Sequence, residues 1–186
     1  MKSEYRIEIP EASVETLESV SEDDLNQLLQ IEADMFNEGE WFDELEEFRE
    51  MLMSETACLS VLRNINGQIV GFVLGVPALN MVDKLRNADP GYQVDESTLY
   101  ITSTAILPPY RGGDSLDRLM DSLTKIASER EYKTISAHVP HRHVSAYQRR
   151  FGAKDMRFMK EWDGADIPHH YIEFPLVVAQ ENADSK

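Results

Sequence analysis

Cysteine is almost absent: Cys58 is the one thiol in 186 residues, which excludes an internal disulfide framework and any metal site built from several thiolates. It lies in an apolar run and is expected in the core. Long hydrophobic runs are missing too, since none approaches the roughly 18 apolar residues of a membrane span. The opening Met1-Lys2-Ser3-Glu4-Tyr5-Arg6 lacks the basic-then-apolar order of a signal peptide, so a soluble, cytoplasmic protein is expected. Positive charge is scarce in the first 56 residues, where Lys2, Arg6 and Arg49 stand against 18 acidic side chains; the remainder is near balance and the whole chain carries −16. Such a surface cannot displace counterions from duplex DNA or an anionic membrane, so neither a nucleic acid nor a membrane is expected as a partner. The acidity fits a pair of solvated surface helices or a cationic partner.

With 42% hydrophobic and 28% charged residues, the chain has material for one core, expected as a single domain over 1–179 with 180–186 a frayed tail. Tyr5 to Ile9 alternates like a short strand and stops at Pro10. Ser21 and Asp24 form a capping-box pattern ahead of a helix with an apolar face of Leu25, Leu28, Leu29, Ile31, Met35 and Phe36, ending near Asn37 to Gly39. A second acidic helix, capped by Asp43 and Glu46, carries Leu45, Phe48 and Leu52. The apolar runs Ala57–Leu62 and Gln68–Val76 flank Asn64-Ile65-Asn66-Gly67, a hairpin signal. From Pro77 to about Ser97 there is little pattern, which predicts a functional loop or a short helix, with an acceptor site near it. A strand at Leu99–Leu107, a helix at Ser115–Arg130 and a strand at Thr134–Val139 then make a parallel β-α-β crossover. A helix at Val144–Phe151 stops at Gly152, and strands at Lys154–Trp162 and His170–Val178 complete a mixed sheet.

The turn Pro108-Pro109-Tyr110-Arg111-Gly112-Gly113 opens the Ser115 helix with unpaired N–H groups and the positive end of the helix dipole, an arrangement suited to an anion. It is neither a P-loop nor a dinucleotide fingerprint. The order of elements around Ile106-Leu107-Pro108-Pro109-Tyr110-Arg111-Gly112-Gly113 resembles the GCN5-related N-acetyltransferase (GNAT) superfamily over residues 5–178. That resemblance implies an α/β (α+β) fold, with a mostly antiparallel central sheet of about six or seven strands flanked by about four helices. It also implies acetyl-CoA as cosubstrate and an amine as acceptor. Ile106 and Leu107 would meet the pantetheine arm, and Arg111, Gly112, Gly113, Asp114, Ser115 and Leu116 would form the phosphate loop. Asp114 and Leu116 stand where the family carries glycine and glycine or alanine, which motivates an alternative: a GNAT-fold binding or regulatory module impaired in catalysis.

The same resemblance places a general acid near Ser145-Ala146-Tyr147-Gln148-Arg149-Arg150-Phe151-Gly152. Aligned on Gly152, Gln148 takes the family's tyrosine position and Tyr147 falls one residue earlier, about 100° around the helix. Tyr147 is therefore either the acid or a packing residue. Amine attack also needs a proton acceptor. In the strand, Tyr100, Thr102 and Thr104 share one face and Ser103 the other, so Thr102 would belong to a hydroxyl-lined water path. Glu96 and Asp95 are the nearest carboxylates, with Glu38 or Glu40 across the helix turn, and bulk water is the remaining option. His138, His141, His143, His169 and His170 lack metal-ligand spacing, so no metal is expected; His141, Arg142 and His143 instead flank the cleft at the strand's C-terminal end. Arg149, Arg150 and Lys154 meet phosphates or solvent, and Trp41, Phe42 and Trp162 line core or cleft. An exposed strand edge near the C-terminus would allow a homodimer.

Overall fold

A computed structural model describes residues 9–35, 45–162 and 167–176. Residues 5–8 of the expected first strand, the helix stop at Asn37 to Gly39, Glu38, Glu40, Trp41, Phe42, the Asp43 cap and the 180–186 tail lie outside the described residues.

The first described strand, β1 (Ala12–Leu17), follows Pro10, and Ile9, the one described residue of the expected first strand, belongs to no strand. Ala12 and Val14 alternate toward the core, and all six residues pair antiparallel with β2 (Cys58–Asn64), which outweighs the polar character of the segment. Helix α1 (Glu22–Met35) is capped as its sequence indicates: Ser21 Oγ accepts the Asp24 N–H at 3.1 Å and donates to Asp24 Oδ2 at 2.9 Å. Its Leu25, Leu28 and Ile31 join Phe48 and Leu52 of α2 (Leu45–Leu52) against the sheet. The hairpin to β3 (Ile69–Pro77) closes on Asn64, whose Oδ1 accepts the N–H groups of Asn66 and Gln68, with Gly67 at φ +78°.

The unpatterned stretch holds a 3-10 turn, Ala78–Met81, and α3 (Val82–Ala88) before β4 (Thr98–Ile106). Then come α4 (Ser115–Glu129), β5 (Thr134–Pro140), α5 (His141–Phe151), β6 (Lys154–Met159) and β7 (His169–Pro175). Helix α5 starts three residues earlier than Val144, because Pro140 takes the N-cap position and puts His141 directly into the first turn; Gly152 at φ +64° ends it.

Among the described residues seven strands run β1-β2-β3-β4-β5-β7-β6, and β4–β5 is their one parallel pair. One face carries Leu119, Leu123 and Ile126 of α4 and Val144 of α5 over Leu99, Ile135 and Ile172. The other carries α1 and α2 over Phe72 and Leu74, and α3 over Val76, Tyr100 and Tyr171. Among the described residues no helix is long and apolar enough to cross a membrane. Phe48 and Phe72 are fully buried with ring centroids 5.7 Å apart. Phe72→Ala is expected to lower the unfolding free energy by about 3–5 kcal/mol, measured by urea denaturation.

Candidate active site

The parallel ladder joins Thr98 to Thr134, Leu99 to Ile135 and Tyr100 to Ser136, then stops, although β4 continues to Ile106 and β5 to Pro140. The two strands diverge into a fork, and the β5-facing edge of β4 beyond Tyr100 keeps its backbone groups for something other than a strand.

At the start of the fork β4 carries a bulge. Leu74 of β3 opposes Ser103 and Gly75 opposes Ile101, so Thr102 is an extra residue. The extra residue reverses the alternation: Leu99, Ile101 and Ile106 face α4, while Tyr100 and Ala105 face the opposite side. Tyr100, Thr102 and Thr104 therefore do not share one face, which corrects the expectation from simple strand periodicity. Ser103 falls on the α1 side, where its Oγ donates to Glu32 Oε2 at 2.7 Å.

On that same side a polar chain crosses the base of the fork. Tyr100 Oη lies 3.0 Å from His138 Nδ1, and His138 Nε2 lies 3.1 Å from Asp89 Oδ2, which also pairs with Arg157. The His138 side chain is 1% exposed and stacks on Trp162 with centroids 4.2 Å apart. Burial holds the imidazole pKa below its usual 6.5, and the nearby Arg157 cation acts in the same sense. The pKa of Asp89 is also lowered: burial alone would raise it, but the hydrogen bonds and charges of His138 and Arg157 outweigh that.

On the opposite side stands Tyr147 of α5. Its ring packs on Phe151 and Phe174 at 5.7 and 5.8 Å, and its phenol lies against Thr104, whose buried Oγ1 has no hydrogen-bond partner. Burial pushes the phenol above its usual pKa of 10, so it stays protonated at neutral pH.

The turn beyond β4 has Gly112 at φ +100° and Gly113 at φ +52°. A Cβ on either would press on Ile9 Cδ1, at 3.3 and 3.0 Å. Arg111 folds back, donating from Nε to Ile106 O at 2.8 Å and from Nη2 to Met35 Sδ at 3.3 Å. Leu107 donates its N–H to Val70 O. Asp114 is exposed in the N-cap position of α4 and makes no side-chain cap, Ser115 is buried, and Leu116 packs against the main core.

Glu96 is not brought to the fork. It is exposed before β4, at the end where the ladder is closed, and Asp95 there accepts hydrogen bonds from Ser97. Arg150 is committed to Asp117 at 2.6 and 2.8 Å and to Gly113 O at 3.2 Å, tying α5 to the turn. Arg149 and Lys154 are exposed. Among the described residues no three His, Cys, Asp or Glu side chains are grouped to hold a metal ion. His141, in the first turn of α5, instead meets His170 at 2.8 Å, which meets Asp155 at 2.8 Å. Sequence reasoning missed Glu32, Asp89 and Arg157, and weighed His138 only as a metal ligand. The available signal was a histidine within the apolar run of β5.

The acetyltransferase (GNAT) family model matches residues 24–153. No curated protein matches this sequence. Similar solved structures include the ribosomal-protein-S18-alanine N-acetyltransferase from Escherichia coli, 16% identical with TM-score 0.65, covering 92% of this chain and 98% of that one. The aminoglycoside 6'-N-acetyltransferase complexed with coenzyme A is 13% identical with TM-score 0.70, covering 89% and 97%. Arabidopsis thaliana NAA60 in complex with acetyl-CoA is 16% identical with TM-score 0.64, covering 88% and 99%. These likenesses are of fold. Among the described residues the seven-stranded sheet and five α-helices match the mixed, mostly antiparallel architecture expected from sequence.

Acetyl-CoA fits the residues present: a glycine cradle at the helix N-terminus suits phosphates, and the edge of β4 that β5 leaves beyond Tyr100 suits an amide-bearing arm. Gly112→Ala forces an L-residue to φ +100° and crowds Ile9, and is expected to weaken acetyl-CoA binding at least about tenfold by calorimetric titration.

Proposed function

The chain belongs to the acetyltransferase (GNAT) family, and from that premise we propose that it transfers acetyl from acetyl-CoA to an amine, with proton acceptor and proton donor on opposite faces of the β4–β5 fork. The observation that carries this reading is the placement of the Tyr100–His138 pair on one side of the fork and Tyr147 on the other. Acetyl-CoA supplies an acyl group activated as a thioester. As the amine nitrogen bonds to the acyl carbon and the C–S bond breaks, the nitrogen loses a proton to Tyr100 Oη while the Tyr100 proton moves to His138 Nδ1. Tyr147 gives its phenolic proton to the departing sulfur, and solvent exchange then moves the proton from His138 back to Tyr147.

Arg111, Gly112, Gly113, Ser115 and Leu116 shape the phosphate turn, while Ile106 and Leu107 lead the β4 edge into it. Asp114 is exposed at the N-cap position of α4 and makes no side-chain cap. The carboxylate of Glu32, held by Ser103 beside the bulge, favours an acceptor that arrives as a cation, and the −15 carried by the first 56 residues draws it in. The acceptor class is thus a polyamine, an aminoglycoside-like compound or a basic or N-terminal peptide.

Tyr147→Phe is expected to lower kcat about 10²- to 10⁴-fold with little change in the KM for acetyl-CoA. Loss of acetyl-CoA binding instead would assign Tyr147 to packing. In a thiol-release assay over spermidine, kanamycin, a Lys-rich peptide and an uncharged arylamine, the cations are expected to give kcat/KM values that fall with added salt. Rates indifferent to acceptor charge and salt would remove the cationic-acceptor reading, and binding of acetyl-CoA with no turnover on any amine would favour the impaired binding module.

A further inference from the structure

Asp89 stands in the stretch between α3 and β4 that carries no sequence pattern, yet it is 2% exposed, and its backbone N–H and both carboxylate oxygens are engaged. Its N–H donates to Leu85 O at 2.7 Å, anchoring it to the end of α3, and its Oδ1 accepts the Gly91 N–H at 3.1 Å. Its Oδ2 faces His138 Nε2 and Arg157 Nη2 together. Arg157 reaches this place through a second bulge: Asp155 of β6 opposes Ile172 and Arg157 opposes Tyr171, so Met156 is an extra residue. Regular alternation would have put Arg157 on the face of Asp155, which bonds His170; the bulge turns it to the face of Tyr171 and Tyr100.

We infer that Asp89 and Arg157 are positioning residues that act on the reaction through His138, Asp89 fixing its tautomer and Arg157 restraining its hold on a proton. This rests on the role given to His138 above. The tautomer follows from donor and acceptor capacity. An ionised carboxylate only accepts, so Nε2 carries the hydrogen toward Asp89; in a neutral ring Nδ1 is then the acceptor, and the Tyr100 hydroxyl must donate to it. The two neighbours pull His138 in opposite directions. Asp89 stabilises the imidazolium, and Arg157, with its guanidinium beside the same carboxylate, opposes it. Burial of the ring is the larger opposition to the imidazolium and Arg157 adds to it, so without Arg157 the carboxylate would hold a proton on His138 more strongly and leave it a poorer acceptor for the amine's proton. Without the carboxylate the ring would be free to take the wrong tautomer.

The titratable and charged groups that act on His138 come from every element around it. They are Tyr100 of β4, Asp89 and Tyr92 of the α3–β4 stretch, Arg157 of β6, and His169 and Tyr171 of β7. Burial raises the phenol pKa of Tyr92 and Tyr171 and lowers the imidazole pKa of His169, so all three are neutral near pH 7. Asp89 and Arg157 are then the charges of that set.

The test is a histidine NMR titration of the full chain with ¹⁵N-labelled imidazoles, the His138 signal being assigned with His138→Gln. The wild type is expected to show an Nε2-protonated, neutral His138 titrating below 6.5. Asp89→Asn, nearly isosteric, is expected to move that titration further down and to lose the single tautomer. Arg157→Gln, at a side chain 35% exposed, is expected to move it up. The acid limb of kcat/KM, measured with the fastest acceptor of the panel above, should follow each shift, with the plateau lowered at least about tenfold in Asp89→Asn. Structural loosening alone would move both variants the same way, toward the ordinary histidine value. That result, or no shift in either variant, overturns the inference. A His138 titration that shifts in the two opposite directions while the kcat/KM limb stays fixed supports the positioning of His138 and overturns its role as proton acceptor. Arg157→Gln keeps the test decisive if Asp89→Asn does not fold.

Discussion

The parallel ladder between β4 and β5 holds for three residue pairs, and the site depends on where it stops. Had it continued to Ile106, the edge of β4 would be saturated by β5 and no arm of a ligand could pair with it. Because it stops at Tyr100 and Ser136, a gap opens within a sheet that is continuous on either side, closed toward Glu96 and open toward the Gly112–Gly113 turn. The crossover helix α4 places its N-terminus at the open end, so a strand edge and a helix terminus converge with no residue specialised for the purpose beyond the two glycines.

Two bulges decide which chemistry faces the gap. The extra residue Thr102 sends Tyr100 and Ser103 to the α1–α3 side and leaves Thr104 against Tyr147 on the α4–α5 side. The extra residue Met156 separates Asp155, which serves His170, from Arg157, which serves Asp89. Each bulge costs ladder hydrogen bonds and returns a polar group aimed at a defined place. The result is a division of labour by face, with Glu32, Asp89, His138 and the Tyr100 phenol on one side of the sheet and the Tyr147 phenol on the other.

Burying Asp89 and His138 beside the partly exposed Arg157 is costly, since each would be better solvated outside. The carboxylate and the imidazole are satisfied there: Asp89 uses both oxygens, His138 both ring nitrogens, and Trp162 covers the ring. The core around it is ordinary. Leu119, Leu123, Ile135 and Ile172 fill one side of the sheet, and Phe48 with Phe72 the other, so rigidity comes from packing and the polar chain is held by it.

Local pattern was enough for much of this protein. The capping pair Ser21 and Asp24, the Asn64–Gly67 hairpin, the apolar stripe of α4 and the glycine turn after β4 each act over a few residues, so their physics is complete within the sequence that shows them. From these came the element order, the family resemblance and the place of the glycine turn. The edge strand β1 was not legible, because its polar segment becomes a strand only through pairing with β2. The pairing of His138 with Asp89, 49 residues away, and of Asp89 with Arg157, 68 away, was not legible either. The first depends on how the α3–β4 stretch lies against β5 and the second on a bulge, which is a one-residue choice of register between paired strands. Periodicity reports which residues alternate; only the assembled sheet decides on which side they end.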